Sequence, residues 1–153
     1  MDKSKVVLVG LLLLFPSTTF ARIGETLTQC EARYGKADRT DKDTGVVYFL
    51  KGGFYIMVDF HQGKAEAVGY KKEQGGKEMS DNEIETLLKA NGEDKKWKRI
   101  ESITIKQQWR TEDGLLVAVY YPVDNILLVG TQEGLARFRT EKKAKEDKKL
   151  EGF

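Results

Sequence analysis

The chain has little of what enzyme and metal sites are built from. Its 153 residues include one cysteine, Cys30, and one histidine, His61. A single cysteine rules out an intramolecular disulfide, so the fold must be held by its core alone. The one Cys–His pair joins a helix position to an expected hairpin turn, and nothing in the sequence unites them as nucleophile and base. Zinc sites need three or four ligands at recognisable spacings, and none stands out. Asp38, Asp41 and Asp43 resemble a fragment of a calcium loop, but no following glycine and distal glutamate complete it. The patterns GxxxxGKS/T, GxGxxG and GxSxG are absent. These absences lead to an expectation of no catalytic residues, no metal and no cofactor: not an enzyme. Net charge is also small, +2 over the whole chain. Such a balance provides no strong field for nucleic acid, and no nucleic-acid partner is expected.

Long apolar runs are missing too. The longest, Val6 to Phe15, falls short of the roughly 18 residues that a transmembrane helix requires. It follows Lys3 and Lys5, is broken by Pro16, and leads to Thr19-Phe20-Ala21, with small residues at the −3 and −1 positions. That is the pattern of a secretory signal peptide cleaved after Ala21, and the protein is expected to be periplasmic or secreted. No cysteine directly follows the cleavage point, where Arg22 stands, so the lipoprotein pattern is absent. No integral membrane segment is expected after cleavage.

What is present is an internal correspondence. Tyr48 to Lys72 reads as an incoming strand and a β-hairpin turning at His61-Gln62-Gly63. Moved forward by 61 residues it lies without a gap over Trp109 to Glu133. Tyr48 then falls on Trp109, Gly53 on Gly114, Val58 on Val119, Val68 on Val129 and Gly69 on Gly130. Each segment follows a helix signal. Thr26 and Gln29 fit a capping box, with Leu27, Cys30 and Tyr34 on one face and Gly35 at the end. Cys30 then reads as a small apolar core residue, the alternative being a catalytic or dimer-forming thiol. Ser80-Asp81-Asn82-Glu83 is a second capping box, followed by Ile84, Leu87 and Leu88 and closed by Asn91-Gly92.

The strands follow from period-two alternation. Lys36 to Gly45 is a polar loop, Val46 to Leu50 a strand, and Gly52-Gly53 a turn. Phe54, Ile56, Val58 and Phe60 take one face of the next strand; Tyr55, Met57 and Asp59 take the other. In Lys64 to Lys72, Ala65, Ala67 and Gly69 are set against Glu66, Val68 and Tyr70, and the small side chains invite close approach of a helix. Glu73 to Glu78 is a flexible link. In the second half Glu93 to Glu101 is a charged insert carrying Trp97, and Ile103, Ile105, Gln107 and Trp109 alternate as one strand. Leu115 to Tyr121 and Ile126 to Thr131, separated by the Pro122–Asn125 turn, are apolar on both faces, as a doubly covered strand requires. From Gln132 the sequence is charged and helix-forming, with Leu135 and Phe138 as its apolar anchor. Residues 137–153 carry seven Lys or Arg against four Asp or Glu. They read as a solvated helical tail or, alternatively, as a docking arm for an acidic partner or anionic lipid.

The opening Ile23-Gly24-Glu25-Thr26-Leu27 through Arg33-Tyr34-Gly35-Lys36 resembles the start of BamE/SmpA-like small envelope proteins, with Ala37 where that pattern has proline. The tandem helix-plus-meander units are similar to the β-lactamase-inhibitor-protein-like fold. The resemblance implies a protein-binding role in the cell envelope or outside the cell.

The fold expected is α+β: a tandem pseudo-repeat of a helix plus a three-stranded antiparallel meander. The units form one sheet of about six strands with both helices on one face, and a charged helical tail follows. The segments are residues 1–21 (signal peptide), 22–74 and 75–133 (the two units) and 134–153 (tail). With one face under the helices, the other carries the function, a non-enzymatic protein-binding module for envelope assembly or inhibition. Tyr55 and Met57, with Glu66 and Tyr70 beside them, are its candidate residues, since aromatics and methionine are favoured where proteins bind proteins. Their counterparts are Leu116, Ala118, Leu127 and Thr131. The alternative is a small-ligand binder in a cleft between the units, walled by Tyr48, Trp97 and Trp109.

Overall fold

The structure, a computed structural model, describes residues 22–73 and 77–150. The expected signal peptide and Gly75-Gly76 of the link lie outside the described residues. In chain order the elements are α1 (Leu27–Tyr34), β1 (Arg39–Thr40), β2 (Val47–Lys51), β3 (Phe54–His61), β4 (Lys64–Lys72), α2 (Asp81–Gly92), β5 (Trp97–Ile103), β6 (Lys106–Thr111), β7 (Val117–Tyr121), β8 (Ile126–Gly130) and α3 (Gln132–Leu150). The strands form one antiparallel sheet of eight in the order β1-β2-β3-β4-β8-β7-β6-β5. The α+β class and single antiparallel sheet are as expected. No helix among the described residues is long and apolar enough to cross a membrane.

Both short helices begin at their capping boxes. The Thr26 backbone N–H donates to the Gln29 side chain at 2.8 Å, and the Ser80 N–H to the Glu83 carboxylate at 2.8 Å, while each hydroxyl accepts from the N3 amide. These reciprocal bonds satisfy amides that the helix itself cannot. At the end of α2 the left-handed residue is Glu93, φ 52°, rather than a glycine. Gly92 makes room instead: an added Cβ would lie 2.4 Å from Nε1 of the Trp97 indole.

Strand alternation divides the side chains between two apolar layers. Cys30 and Tyr34 of α1 and Ile84, Leu87 and Leu88 of α2 pack against Phe49, Ile56, Val58, Val68, Tyr70, Trp109, Leu127 and Val129. On the opposite face, Leu135 and Phe138 of α3 pack against Val46, Ala67, Val117, Val119 and Leu128. The apolar anchor expected in the tail therefore holds α3 onto the sheet. The helix starts at Gln132, within the segment assigned to the second unit, where the Thr131 hydroxyl accepts the Gly134 N–H at 3.0 Å.

Three expectations are corrected. First, the sheet has eight strands rather than six. The loop 36–45 contains β1, and most of the insert 93–101 lies in β5. Ile103 and Ile105 do not continue into Gln107: the chain turns at residues 104–105, and both isoleucines are exposed. The apolar alternation that suggested one strand crosses a hairpin turn. Second, β4 carries a bulge. Asp59 pairs with Ala67 and Phe60 with Ala65, leaving Glu66 as the extra residue. An extra residue reverses the faces on either side of it. Ala65 thus enters the layer beneath α1 and α2, whereas Ala67 lies beneath α3.

Third, the gapless 61-residue correspondence does not preserve faces. Val68 and Val129 are register partners and share one layer, so the shift holds there. Met57, however, lies beneath α3 whereas Ala118 lies in the other layer, and Tyr48 and Trp109 are likewise on opposite faces. The ladders pair Val68 with Val58 and Val129 with Ala118, then Val58 with Val47 and Ala118 with Trp109. Matching the meanders from the Val68–Val129 pair outward sets Val58 against Ala118 and Val47 against Trp109. Those offsets are one residue less and one residue more than the gapless shift.

Candidate functional site

The face crossed by α3 carries the exposed chemistry. The anchor is short: Leu135 and Phe138 bury apolar surface, and Arg137 beside them reaches the sheet. Its guanidinium donates to Glu66 at 2.6 Å and to Asp59 at 3.5 Å. The bulge that moves Glu66 out of alternation is what lets both carboxylates meet one cation. Asp59 is only 4% exposed, and burial raises its pKa although Arg137 opposes the shift. Glu141, one turn beyond Arg137, is also raised, first by burial and then by the Asp59 charge. Its Oε2 atom is buried without a hydrogen-bond partner. α3 lies very close to β4 here, because a Cβ on Gly134 would sit 2.6 Å from the Glu66 carbonyl oxygen.

On one side of α3 a groove of about 540 Å³ opens between the helix and strands β2 and β3. Tyr48, Tyr55 and Met57 supply its wall, and Phe138 and Glu141 its helical side. Tyr55 is 42% exposed. The Arg39 guanidinium lies over the Tyr48 ring, 4.1 Å from its centre, a cation–π contact that holds the ring at the groove edge. Asp41, also at the groove, is engaged locally: its Oδ1 accepts the N–H groups of Asp43 (3.1 Å) and Thr44 (3.3 Å). The aspartates read as a calcium-loop fragment thus include one that closes its own turn. Among the described residues no group of three or more His, Cys, Asp or Glu is placed to hold a metal ion.

Of the candidate residues, Tyr55 and Met57 come together and Tyr70 does not join them. Tyr55 pairs with Lys71 and Met57 with Gly69, so Tyr70, opposite Ile56, points to the other face. There it is 0% exposed; the Asn91 carboxamide donates to its hydroxyl at 2.9 Å, and the Tyr34 hydroxyl lies 3.5 Å away. Burial pushes the Tyr70 phenol up to about 12. Trp109 is buried in the same layer, and Trp97 packs at its margin with its indole donating to Leu88 O at 2.8 Å. Tyr48 faces the opposite way, so the three aromatics do not wall one cleft: the sheet lies between them. The proposed counterparts Ala118 and Leu127 are likewise in the α1/α2 layer.

Cys30 and His61 are also kept apart. Cys30 is buried under α1, where burial, and after it the charge of Glu25, pushes the thiol up to about 12. His61 ends β3 and is exposed. Sequence reasoning did not find the Asp59–Glu66–Arg137–Glu141 cluster. The spacing of Arg137 and Glu141 was available on a helix, but the bulge that delivers Glu66 leaves no mark in composition.

No protein-family model matches the chain, nor does any curated protein or any solved structure.

Proposed function

We propose that this is an exported, non-enzymatic protein-binding module of the cell envelope or extracellular space, acting through the face crossed by α3. The observation that carries the reading is the groove at Tyr48, Tyr55 and Met57, where a large aromatic and a thioether remain available beside a fixed helix. Partly exposed aromatic and methionine side chains around a concavity are what protein partners anchor to. The N-terminal charge, apolar run and Thr19-Phe20-Ala21 support export. The envelope assignment also draws on the resemblance of residues 23–36 to BamE/SmpA-like proteins. In this reading the two helix–meander units are a tandem pair meeting at β4 and β8, with the inter-strand offsets described above.

The test is affinity capture from envelope and culture-supernatant extracts of the native source, comparing wild type with a Tyr55→Ala/Met57→Ala double variant. A protein retained by wild type and lost by the variant is expected. Equal recovery by both would remove the groove from consideration. N-terminal sequencing of the exported protein should begin at Arg22.

A further inference from the structure

A second hollow, of about 180 Å³, lies on the other side of α3, bounded by β6, β7 and the helix. Its polar lining is of one sign. Strand alternation puts Lys106, Gln108 and Arg110 of β6 in one row facing it, and α3 adds Arg139 and Gln132. No aspartate or glutamate lines it. Lys106 is paired with Glu101 at 2.5 Å, but neither Arg110 nor Arg139 has an ion-pair partner among the described residues. Arg110 also stands directly opposite Lys98 in the β5–β6 ladder, and like charges so placed destabilise a sheet. The floor is aliphatic, from Val117, Val119 and Leu135. Two unpaired guanidinium forks and two carboxamides above an apolar floor form a receptor for planar or tetrahedral oxygen anions.

We propose that this hollow binds the oxyanion group, carboxylate or phosphate, of a small organic molecule, with Arg110 and Arg139 gripping the oxygens and Val117, Val119 and Leu135 carrying its apolar part. The size argues for a small molecule, since 180 Å³ accommodates an anionic head and a short apolar segment but no folded element. The small net charge of the chain argues the same way, because it supplies no extended field for a polyanion. The site is separate from the Tyr55 groove and does not depend on it.

The experiment is an NMR titration of the full chain with inorganic phosphate and with hexanoate, against chloride at matched ionic strength. It follows the arginine Nε–H and the valine and leucine methyl signals. Saturable shifts of Arg110 and Arg139 with both anions are expected, with methyl shifts at Val117 and Leu135 for hexanoate alone. Arg110→Gln and Arg139→Gln, both at exposed positions, should each weaken binding about tenfold, as loss of a charge-assisted contact implies. Lys89→Gln, which removes one exposed charge from α2 on the other face, should leave it unchanged. Shifts that fail to saturate, that chloride reproduces, or that Lys89→Gln weakens equally would overturn the proposal.

Discussion

On one face of the sheet, α1 and α2 bury Cys30, Tyr34, Ile84, Leu87 and Leu88 against a broad apolar layer whose buried hydroxyls bond one another and Asn91. On the other, α3 contributes Leu135, Phe138 and one guanidinium shared by two carboxylates. The first arrangement excludes water over a continuous area and holds the Cys30 thiol and the Tyr34 and Tyr70 phenols neutral, their pKa values pushed upward by burial. The second spans only part of its face and leaves a hollow on each side of the helix. The same sheet thus provides a stable floor and a surface with accessible chemistry. Continuous apolar packing and accessible polar side chains fall on opposite faces of the same alternating strands.

Truncating one leucine on each face should separate the two layers by the largest margin. Leu87→Ala should cost about 3–4 kcal/mol, because the side chain is almost fully buried in the continuous layer between α2 and the sheet and its site cannot collapse freely. Leu135→Ala should cost less, about 2 kcal/mol, because a helix bordered by hollows can settle into the space. Urea denaturation of both variants checks the order, and equal losses would mean that α3 seals its face as completely as the other helices do.

Gly134→Ala probes the seam between α3 and β4 itself. Helix propensity alone favours alanine by about 1 kcal/mol. The added methyl would meet the Glu66 carbonyl at 2.6 Å, and backbone cannot swing aside as a side-chain tip can. A net loss of about 1–2 kcal/mol is therefore expected. A stabilised variant in thermal melts would show that α3 does not lie as close to β4 as described.

The smallest effect concerns pH. Burial raises the folded-state pKa of Asp59 above its ordinary value near 4. Between those two values the native state holds more protons than the unfolded chain, so stability falls as pH rises and returns on acidification. Asp59→Asn removes the titration while Glu66 keeps its bond to Arg137, so the decline above the ordinary carboxylate range should flatten. Denaturation midpoints of wild type and variant across that range test it; parallel profiles would mean that Asp59 is not the group responsible.

Features that depend on neighbours three or four residues away are legible in the chain alone. Thr26–Gln29 and Ser80–Glu83 mark two helix starts because their bonds close within one turn. Leu135 and Phe138 mark the anchor of α3 because their spacing gives them a common helical face. The Tyr55–Met57 pair follows similarly from alternation within β3. Which face each strand row joins is set by the packed fold. One bulge residue, Glu66, reverses a period of two, and a turn at residues 104–105 divides what alternation presents as one strand. Neither requires a glycine or proline to announce it. Tyr70 is consequently a core residue rather than a neighbour of Tyr55, and Arg137 meets Asp59 and Glu66 across sequence separations of 78 and 71. Pairing at that separation is set by how the sheet and α3 pack together, and no local preference encodes it.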